Sequence, residues 1–504
     1  MIRTDWLERH ALYTPDKAAI IWQPTGRAYT YGDLHERGGK LAGALTEKYG
    51  IESGDRVAVL AENSVEHVLL FLAAQRAGFV LVPLNYRLAP PELAYIIGDA
   101  DPQLLVVGDD YDATADALPF DGPREALTSL HALSEDGSAP NRASRSPGLD
   151  DPLMILYTSG TTGRPKGAII SHRMITWNSI NTEMRLDLTS HDRSFNAAPF
   201  YHTGGWNVLL TPFLHHGATT FLLPNFDPET ILRLCDNEQL SILWGVPTML
   251  KMMSDHAAFD EVSLDSVRYA IVGGEAMPEP LIRIWQEKGV PIRQGFGMTE
   301  VGVNCFSLPE KDALRKIGSI GFPNFYIDTR VVDASGDDVP TGTTGELLMR
   351  GPVVTPGYWR APEATAEAID ENGWFATGDL VRVDDEGYFY VVGRKKEMYI
   401  SGGENVYPAE VEAALYAHDA IREVAVVGVP DETWGETGAA FIVLEDESSL
   451  SEADVIEYAQ TCLARYKVPG HVRFLDALPT GHSGKIQKSE LQDAFAPEPS
   501  RGSS

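Results

Sequence analysis

Eleven consecutive residues concentrate the chemistry of this chain: Tyr157-Thr158-Ser159-Gly160-Thr161-Thr162-Gly163-Arg164-Pro165-Lys166-Gly167. From Thr158 through Gly163 every position is a hydroxyl residue or a glycine, so amide and hydroxyl donors can face outward with little side-chain bulk in the way. Lys166 adds a mobile positive charge. A loop of this make-up suits phosphate. The apolar run Leu153 to Tyr157 predicts a buried strand, so the loop leaves a strand end, where α/β proteins place ligands. It is not the common P-loop, which needs GxxxxGK[ST]; here Pro165 precedes Lys166 and Gly167 follows it. An ordinary Ser/Thr/Gly turn accounts for any three or four of these residues.

The full pattern resembles the signature loop of the adenylate-forming superfamily, which includes acyl-CoA synthetases, adenylation domains of peptide synthetases and beetle luciferases. The resemblance runs from about Tyr29 to Lys488 and carries roles with it. Gln294-Gly295-Phe296-Gly297-Met298-Thr299-Glu300 resembles a segment whose aromatic ring stacks on adenine, whose hydroxyl contacts the α-phosphate and whose carboxylate helps hold Mg²⁺. Phe296, Thr299 and Glu300 take those roles by resemblance, Phe296 standing where the family usually has Tyr. Gly273-Gly274-Glu275-Ala276-Met277 matches a loop bordering adenine and the acyl pocket. In Trp374-Phe375-Ala376-Thr377-Gly378-Asp379 and Gly393-Arg394, the resemblance implies that Asp379 accepts the ribose hydroxyls and Arg394 supports the same sugar.

Pro479-Thr480-Gly481-His482-Ser483-Gly484-Lys485-Ile486 resembles the loop bearing the catalytic lysine of adenylation, with His482 in place of the usual small residue. Lys485 is then expected to reach both the acid and the α-phosphate. Lys396 aligns with the family's hinge, and Ile400-Ser401-Gly402-Gly403-Glu404-Asn405-Val406 with the segment brought to the acyl-adenylate in the other orientation. Pro199-Phe200-Tyr201-His202-Thr203-Gly204-Gly205-Trp206-Asn207 resembles the carboxylate-pocket segment, where CoA ligases often have His at the position of His202. It contains no Asp to pair with an amino group, as a peptide-synthetase domain would need. The expected catalytic set is therefore Lys485, Thr299, Glu300 and His202, with the other motif residues binding nucleotide and co-substrate.

Making a thioester from a carboxylate is uphill in water, and attaching AMP first makes the acid a better electrophile. The resemblance thus implies an ATP-dependent carboxylic acid:CoA ligase that uses Mg²⁺, with coenzyme A as co-substrate. Trp206, Val301, Val303 and Cys305 suggest a mainly apolar acyl pocket, and a medium- or long-chain fatty acid is the expected substrate. An aryl acid of benzoate or cinnamate type fits as well. A non-CoA acceptor or a luciferase-like oxygenase on the same scaffold stays open.

Composition sets bounds on this reading. The 504 residues are 43% hydrophobic and 22% charged, the balance of a globular protein. Acidic residues outnumber basic ones 72 to 41, a net charge of −31 that disfavours nucleic acid and anionic membrane as partners. An enzyme for ATP and CoA must then concentrate its cations locally. The longest apolar run, Val68 to Ala74, is far short of a membrane span, and no apolar signal segment follows Met1. The cytoplasm is the expected location; a homodimer is left open. Cys235, Cys305 and Cys462 have no metal-ligand spacing.

Alternating strands and helices predict layered α/β architecture. Arg56 to Leu60 and Phe79 to Val82 read as a parallel strand pair around a helix that Asn63 caps and Gly78 ends. Gln103 to Val107, Leu240 to Trp244 and Tyr269 to Val272 read as further strands, and Ser134 to Asp150 as an exposed loop. After Tyr388 to Gly393 the charged break Arg394-Lys395-Lys396-Glu397 precedes a new α+β pattern: a helix at Pro408 to Tyr416, strands at Val424 to Gly428 and Ala439 to Leu444, and a capped helix at Ser451 to Arg465. The expected division is a large layered α/β N-terminal domain, 1–395, and a small mobile α+β C-terminal domain, 396–504, with its hinge at Lys396. The tail from Ala496 is Pro, Gly and Ser rich.

Overall fold

The computed structural model describes residues 4–136, 147–158, 165–401, 404–431, 434–445, 448–480 and 486–495. The chain forms two compact units, Met1–Thr329 with Leu348–Ala376 and Gly387–Phe389, and Arg330–Leu347 with Thr377–Glu386 and Tyr390–Ser504. The architecture is α/β, as the alternating pattern predicts.

In the first unit a six-stranded sheet runs in the order Arg124–Ala126, Leu104–Val107, Arg56–Leu60, Val80–Pro83, Pro152–Thr158, Lys166–Ser171. Its first five strands are parallel and the last is antiparallel to Pro152–Thr158, with Thr158 opposite Lys166. The expected strand, helix, strand unit is present, Arg56 pairing with Val80 around the helix Val65–Ala77. Gly78 ends that helix at φ 78°, a left-handed conformation that costs glycine nothing. Its start differs from expectation. Ser64 caps the helix by accepting the His67 N–H, because Asn63 is committed elsewhere: its amide donates to the Ala198 carbonyl at 2.8 Å and accepts the Phe200 N–H at 2.9 Å.

Alternate residues of these strands feed separate cores. Val57, Val59 and Leu81 pack with the helices Tyr31–Tyr49 and Val65–Ala77, while Ala58, Leu60, Val80 and Val82 pack with the helix Pro90–Ala100. The helix Val65–Ala77 is consequently buried almost all round. At its crossing with Tyr31–Tyr49 a Cβ on Gly38 would sit 2.9 Å from Leu72 Cβ, so glycine sets how closely the two helices approach. A second array places Ile242–Gly245, Tyr269–Val272 and Ile292–Met298 in parallel, followed by Gly302–Ser307 and Ser319–Pro323 in antiparallel register. Ser134, read as the start of an exposed loop, is instead buried at the end of the helix Ser129–Glu135, its hydroxyl bonded to the His131 carbonyl.

In the second unit a five-stranded sheet is built on the long antiparallel pair Ile421–Asp431 and Gly435–Leu444. Tyr399–Ser401 and His471–Phe474 also pair with Gly435–Leu444. Helices cover both faces: Pro408–Tyr416 and Glu452–Cys462 share a core with Val426, Ala440 and Ile442, while Leu491 of Lys488–Asp493 shares one with Val427, Phe441 and Val443. The helix expected to reach Arg465 ends at Cys462 and begins in a capping box at Ser451.

Two buried histidines make the first unit acid-sensitive. Burial pushes His67 and His172 down to about 4, opposed only in part by the Glu62 carbonyl in the first case and Asp151 in the second. Both are neutral when folded and gain a proton near their ordinary value when unfolded, so stability is full above about pH 6.5 and falls toward about pH 4, by roughly 3 kcal/mol per histidine. Urea unfolding followed across that range is expected to show the decline, and His67→Leu to remove its share of the slope. An unchanged slope in the variant would exclude His67 as a source.

Candidate active site

Glu300 lies just beyond the strand Ile292–Met298 and is 6% exposed. A carboxylate so placed needs donors, and two hydroxyls supply them: Thr158 at 3.3 Å and Tyr358 at 3.2 Å, both to Oε1. Thr158 is the last residue of the strand entering the loop expected to bind phosphate, and Lys166 the first of the strand leaving it. The Lys166 ammonium sits 5.5 Å from the centroid of the Tyr358 ring. Thus the residue expected to hold the metal and the two described ends of the expected phosphate loop, separate in sequence, come together around one tyrosine. Burial, together with the Glu300 carboxylate, raises the Tyr358 phenol above its ordinary value.

Tyr358 was not singled out from sequence; a Gly-Tyr-Trp triplet after Pro356 is its only mark. It arrives on a strap that pairs with the strand Lys166–Ser171. Thr355 donates its hydroxyl to the Ile169 carbonyl at 2.7 Å and its N–H to the Glu300 carbonyl at 2.7 Å, and the Trp359 N–H bonds the Gly167 carbonyl at 2.7 Å. Tyr157, at the entry to the loop, donates to Asp99 at 2.6 Å.

Gln294 fixes the neighbouring loop rather than facing outward. Its amide nitrogen donates to the Glu275 carbonyl at 2.9 Å and its oxygen accepts the Met277 N–H at 3.0 Å. The residues expected to border adenine, Gly274, Glu275 and Ala276, are thereby tied to the strand that carries Phe296. Gly274 has φ +86°. A Cβ on Gly297 would lie 2.3 Å from the Val303 backbone, so only glycine allows the pairing of Ile292–Met298 with Gly302–Ser307 at that point. The Phe296 ring is part-exposed and meets Phe306 edge-on at 5.7 Å. Met298 pairs with Gly302, while Thr299, like Phe296, is half-buried.

His202 precedes the short helix Thr203–Asn207, with its ring tilted against Tyr201 at 4.5 Å. Gly205 permits the turn, since a Cβ there would lie 2.5 Å from the Pro199 carbonyl oxygen. Trp206, Val301 and Cys305, expected to line the acyl pocket, are fully buried instead. Trp206 stacks on Phe200 at 4.1 Å and on Phe71 at 5.1 Å, and its indole N–H bonds the Phe200 carbonyl. Of the four residues only Val303 keeps accessible surface. The doublet His215-His216 lies against Glu183.

The second unit holds the ribose candidates. Asp379 is 2% exposed and its Oδ1 is 2.6 Å from Arg394 Nε. The turn that presents it is pinned twice. The Thr377 hydroxyl accepts the Asp379 N–H and donates to the Leu347 carbonyl, and Gly378, at φ +71°, donates its N–H to Glu346, which also pairs with Lys395 at 2.7 Å. Lys396 is exposed in the turn that follows Arg394. Ser401 and Glu404 are register partners, the first buried and the second exposed. Lys488 lies 2.7 Å from Glu412 and 3.3 Å from Glu397; burial alone would lower its pKa, but these two carboxylates outweigh it and raise it. Ser159, Gly160, Thr161, Thr162, Gly163, Gly402, Gly403, His482 and Lys485 lie outside the described residues, as does the tail from Ala496.

Among the described residues no three or more His, Cys, Asp or Glu cluster as a metal cage. The donor set at Glu300, one carboxylate beside a phosphate loop, suits Mg²⁺, which takes one or two carboxylates and substrate phosphates. All three cysteines are unpaired, Cys235 and Cys305 buried and Cys462 exposed. No helix among the described residues is long and apolar enough to cross a membrane.

Known proteins resemble the chain over nearly its whole length. A family model described as AMP-binding enzyme matches residues 7–359, and one described as AMP-binding enzyme C-terminal domain matches residues 410–485. A feruloyl-CoA synthase of Amycolatopsis is 39% identical over 97% of this chain and 98% of its own. A long-chain fatty acid–CoA ligase of Mycobacterium tuberculosis is 37% identical over 97% of this chain and 98% of its own. The ATP-bound crystal structure of MatB from Rhodopseudomonas palustris superimposes with a TM-score of 0.89 at 34% identity, covering 98% and 99% of the two chains.

The Gln294 contacts yield a direct test. Gln294→Leu would leave the Met277 N–H and the Glu275 carbonyl without partners, and is expected to cost about 1–3 kcal/mol in denaturant unfolding. A change within a few tenths of a kcal/mol would mean that the loop does not depend on this amide.

Proposed function

We infer the reaction from one premise: the chain belongs to the family of AMP-binding enzymes, whose main and C-terminal domains both match it. It is an AMP-forming acid–CoA ligase, and it binds ATP. In the first half-reaction a carboxylate oxygen attacks the α-phosphorus of ATP, forming acyl-AMP as pyrophosphate leaves. In the second, the CoA thiol attacks the acyl carbon and AMP leaves. The first step sets anion against anion, so cations and hydroxyl donors must offset the repulsion where charge builds.

The observation that carries the assignment of roles is the meeting of Thr158, Lys166 and Glu300 around Tyr358. In this reading the loop from Thr158 through Gly163, with Lys166, grips the phosphates that depart as pyrophosphate, and the Thr299 hydroxyl contacts the α-phosphate. Glu300 is the residue that would hold Mg²⁺, which when bound neutralises phosphate charge. Phe296 stacks on adenine beside the Gly274 to Ala276 loop. Asp379, already oriented by Arg394, accepts the ribose hydroxyls. Lys485 stabilises the charge of the adenylation transition state, and His202 flanks the reacting carboxylate. The segment from Lys396 to the C-terminus turns at Lys396 between the two half-reactions, exchanging Lys485 for Ser401 through Glu404. No protein nucleophile is required, because the adenylate is already activated and the attacking sulfur belongs to CoA.

For the acid we propose an apolar monocarboxylate. An aryl-substituted acid is favoured by the 39% identity to the feruloyl-CoA synthase, and a medium- or long-chain fatty acid by the 37% identity to the fatty acid ligase. Pyrophosphate release measured with a panel of cinnamate-type, benzoate-type and fatty acids, with and without CoA, is expected to single out one class and to yield its thioester. Release that stops at acyl-AMP despite added CoA would overturn the choice of acceptor. Lys485→Ala is expected to slow adenylation on the order of a hundredfold or more while sparing thioester formation from supplied acyl-AMP; equal loss in both half-reactions would sink its role. Lys396→Pro is expected to impair mainly the second half-reaction, and undiminished turnover would remove it as the hinge.

A further inference from the structure

Tyr358 stands where the Glu300 carboxylate and the Lys166 ammonium can both be held by one side chain. Its phenol donates to Glu300 Oε1, the same oxygen that accepts from Thr158, so neither hydroxyl engages Oε2. Two donors on one oxygen fix the rotation of a carboxylate and direct its other oxygen away from them. The Lys166 ammonium lies over the Tyr358 ring, 5.5 Å from its centroid, a contact that restrains a long side chain.

The backbone makes this placement rigid. Tyr358 bridges to Ala168, its N–H bonds the Thr365 hydroxyl at 2.9 Å, and the next residue is bonded to Gly167. Gly357 before it has φ +140°, and a Cβ there would lie 2.5 Å from Thr365 Cγ2, so the chain enters this site through a glycine for steric reasons. A phenol delivered on such a support has little freedom to turn elsewhere.

We infer that Tyr358 is a positioning residue for the metal carboxylate and the phosphate-loop lysine: the hydroxyl sets which Glu300 oxygen is presented to Mg²⁺, and the ring sets where the Lys166 charge stands. The inference rests on the proposed metal role of Glu300. The two parts of the side chain act on two ligands, so they separate by substitution. Tyr358→Phe keeps the ring and removes the donor; Tyr358→Leu removes both.

The test measures Mn²⁺ binding to the full-length enzyme with ATP by electron paramagnetic resonance, metal-free ATP binding by calorimetry in the presence of chelator, and thermal unfolding of each variant. Tyr358→Phe is expected to weaken Mn²⁺ binding about tenfold, the usual scale for a partner of a metal ligand. Its loss in pyrophosphate release should shrink as Mg²⁺ is raised, and its metal-free ATP binding should match the parent's. Tyr358→Leu is expected to weaken metal-free ATP binding as well. A purely structural tyrosine would lower unfolding temperature in both variants without moving Mn²⁺ affinity, and that result overturns the inference. Glu300→Gln separates the two layers of argument. If it leaves Mn²⁺ binding intact, the metal role of Glu300 fails and this inference with it. If it weakens binding while Tyr358→Phe does not, only the role of Tyr358 fails.

Discussion

A carboxylate taken out of water must find donors close by, and the buried Glu300 finds them in hydroxyls supplied by two distant stretches of chain, Thr158 and Tyr358. Meeting that requirement organises much of the first unit. The strand Pro152–Thr158 has to end where its last hydroxyl reaches the carboxylate, and the strap from Thr355 to Trp359 has to lie along Lys166–Ser171 to deliver the phenol. The glycine before that phenol and the backbone bond from Thr355 to Glu300 serve the same geometry. In a chain of net charge −31, a local grouping of hydroxyls and one lysine is what makes a site hospitable to triphosphate.

Elements whose shape is decided locally were legible in the sequence. The helix Pro408–Tyr416 and the strand Tyr269–Val272 begin and end as read, because Pro, Gly and apolar runs mark their limits within a few residues. Choices settled at long range were not. Asn63 and Ser64 are both competent helix caps, and what separates them is that the Asn63 side chain is used by Ala198 and Phe200, more than a hundred residues away. Trp206 could have faced a ligand or a core; the rings of Phe71 and Phe200 on either side of it decided for the core.

The same division applies to the site. Glu300, Lys166 and Asp379 were marked by their motifs, and the structure supplies their immediate partners. Tyr358, Glu346 and the amide of Gln294 act through contacts that no local spacing encodes, since each joins segments brought together only by the sheet order. Gln294 stands in a marked motif, yet its amide is consumed by the 275–277 backbone, which makes it a brace for that loop.

Asn63 links this architecture to the stretch before His202. By holding the Ala198 carbonyl and the Phe200 N–H, it fastens the stretch that leads into His202 to the end of the strand Arg56–Leu60. The histidine proposed to flank the acid is therefore referenced to the parallel sheet through an amide clamp, and the entry to the proposed phosphate loop is referenced to the same sheet through Pro152–Thr158. Two segments anchored to one sheet share a common frame, so a thermal displacement of that frame carries both of them together.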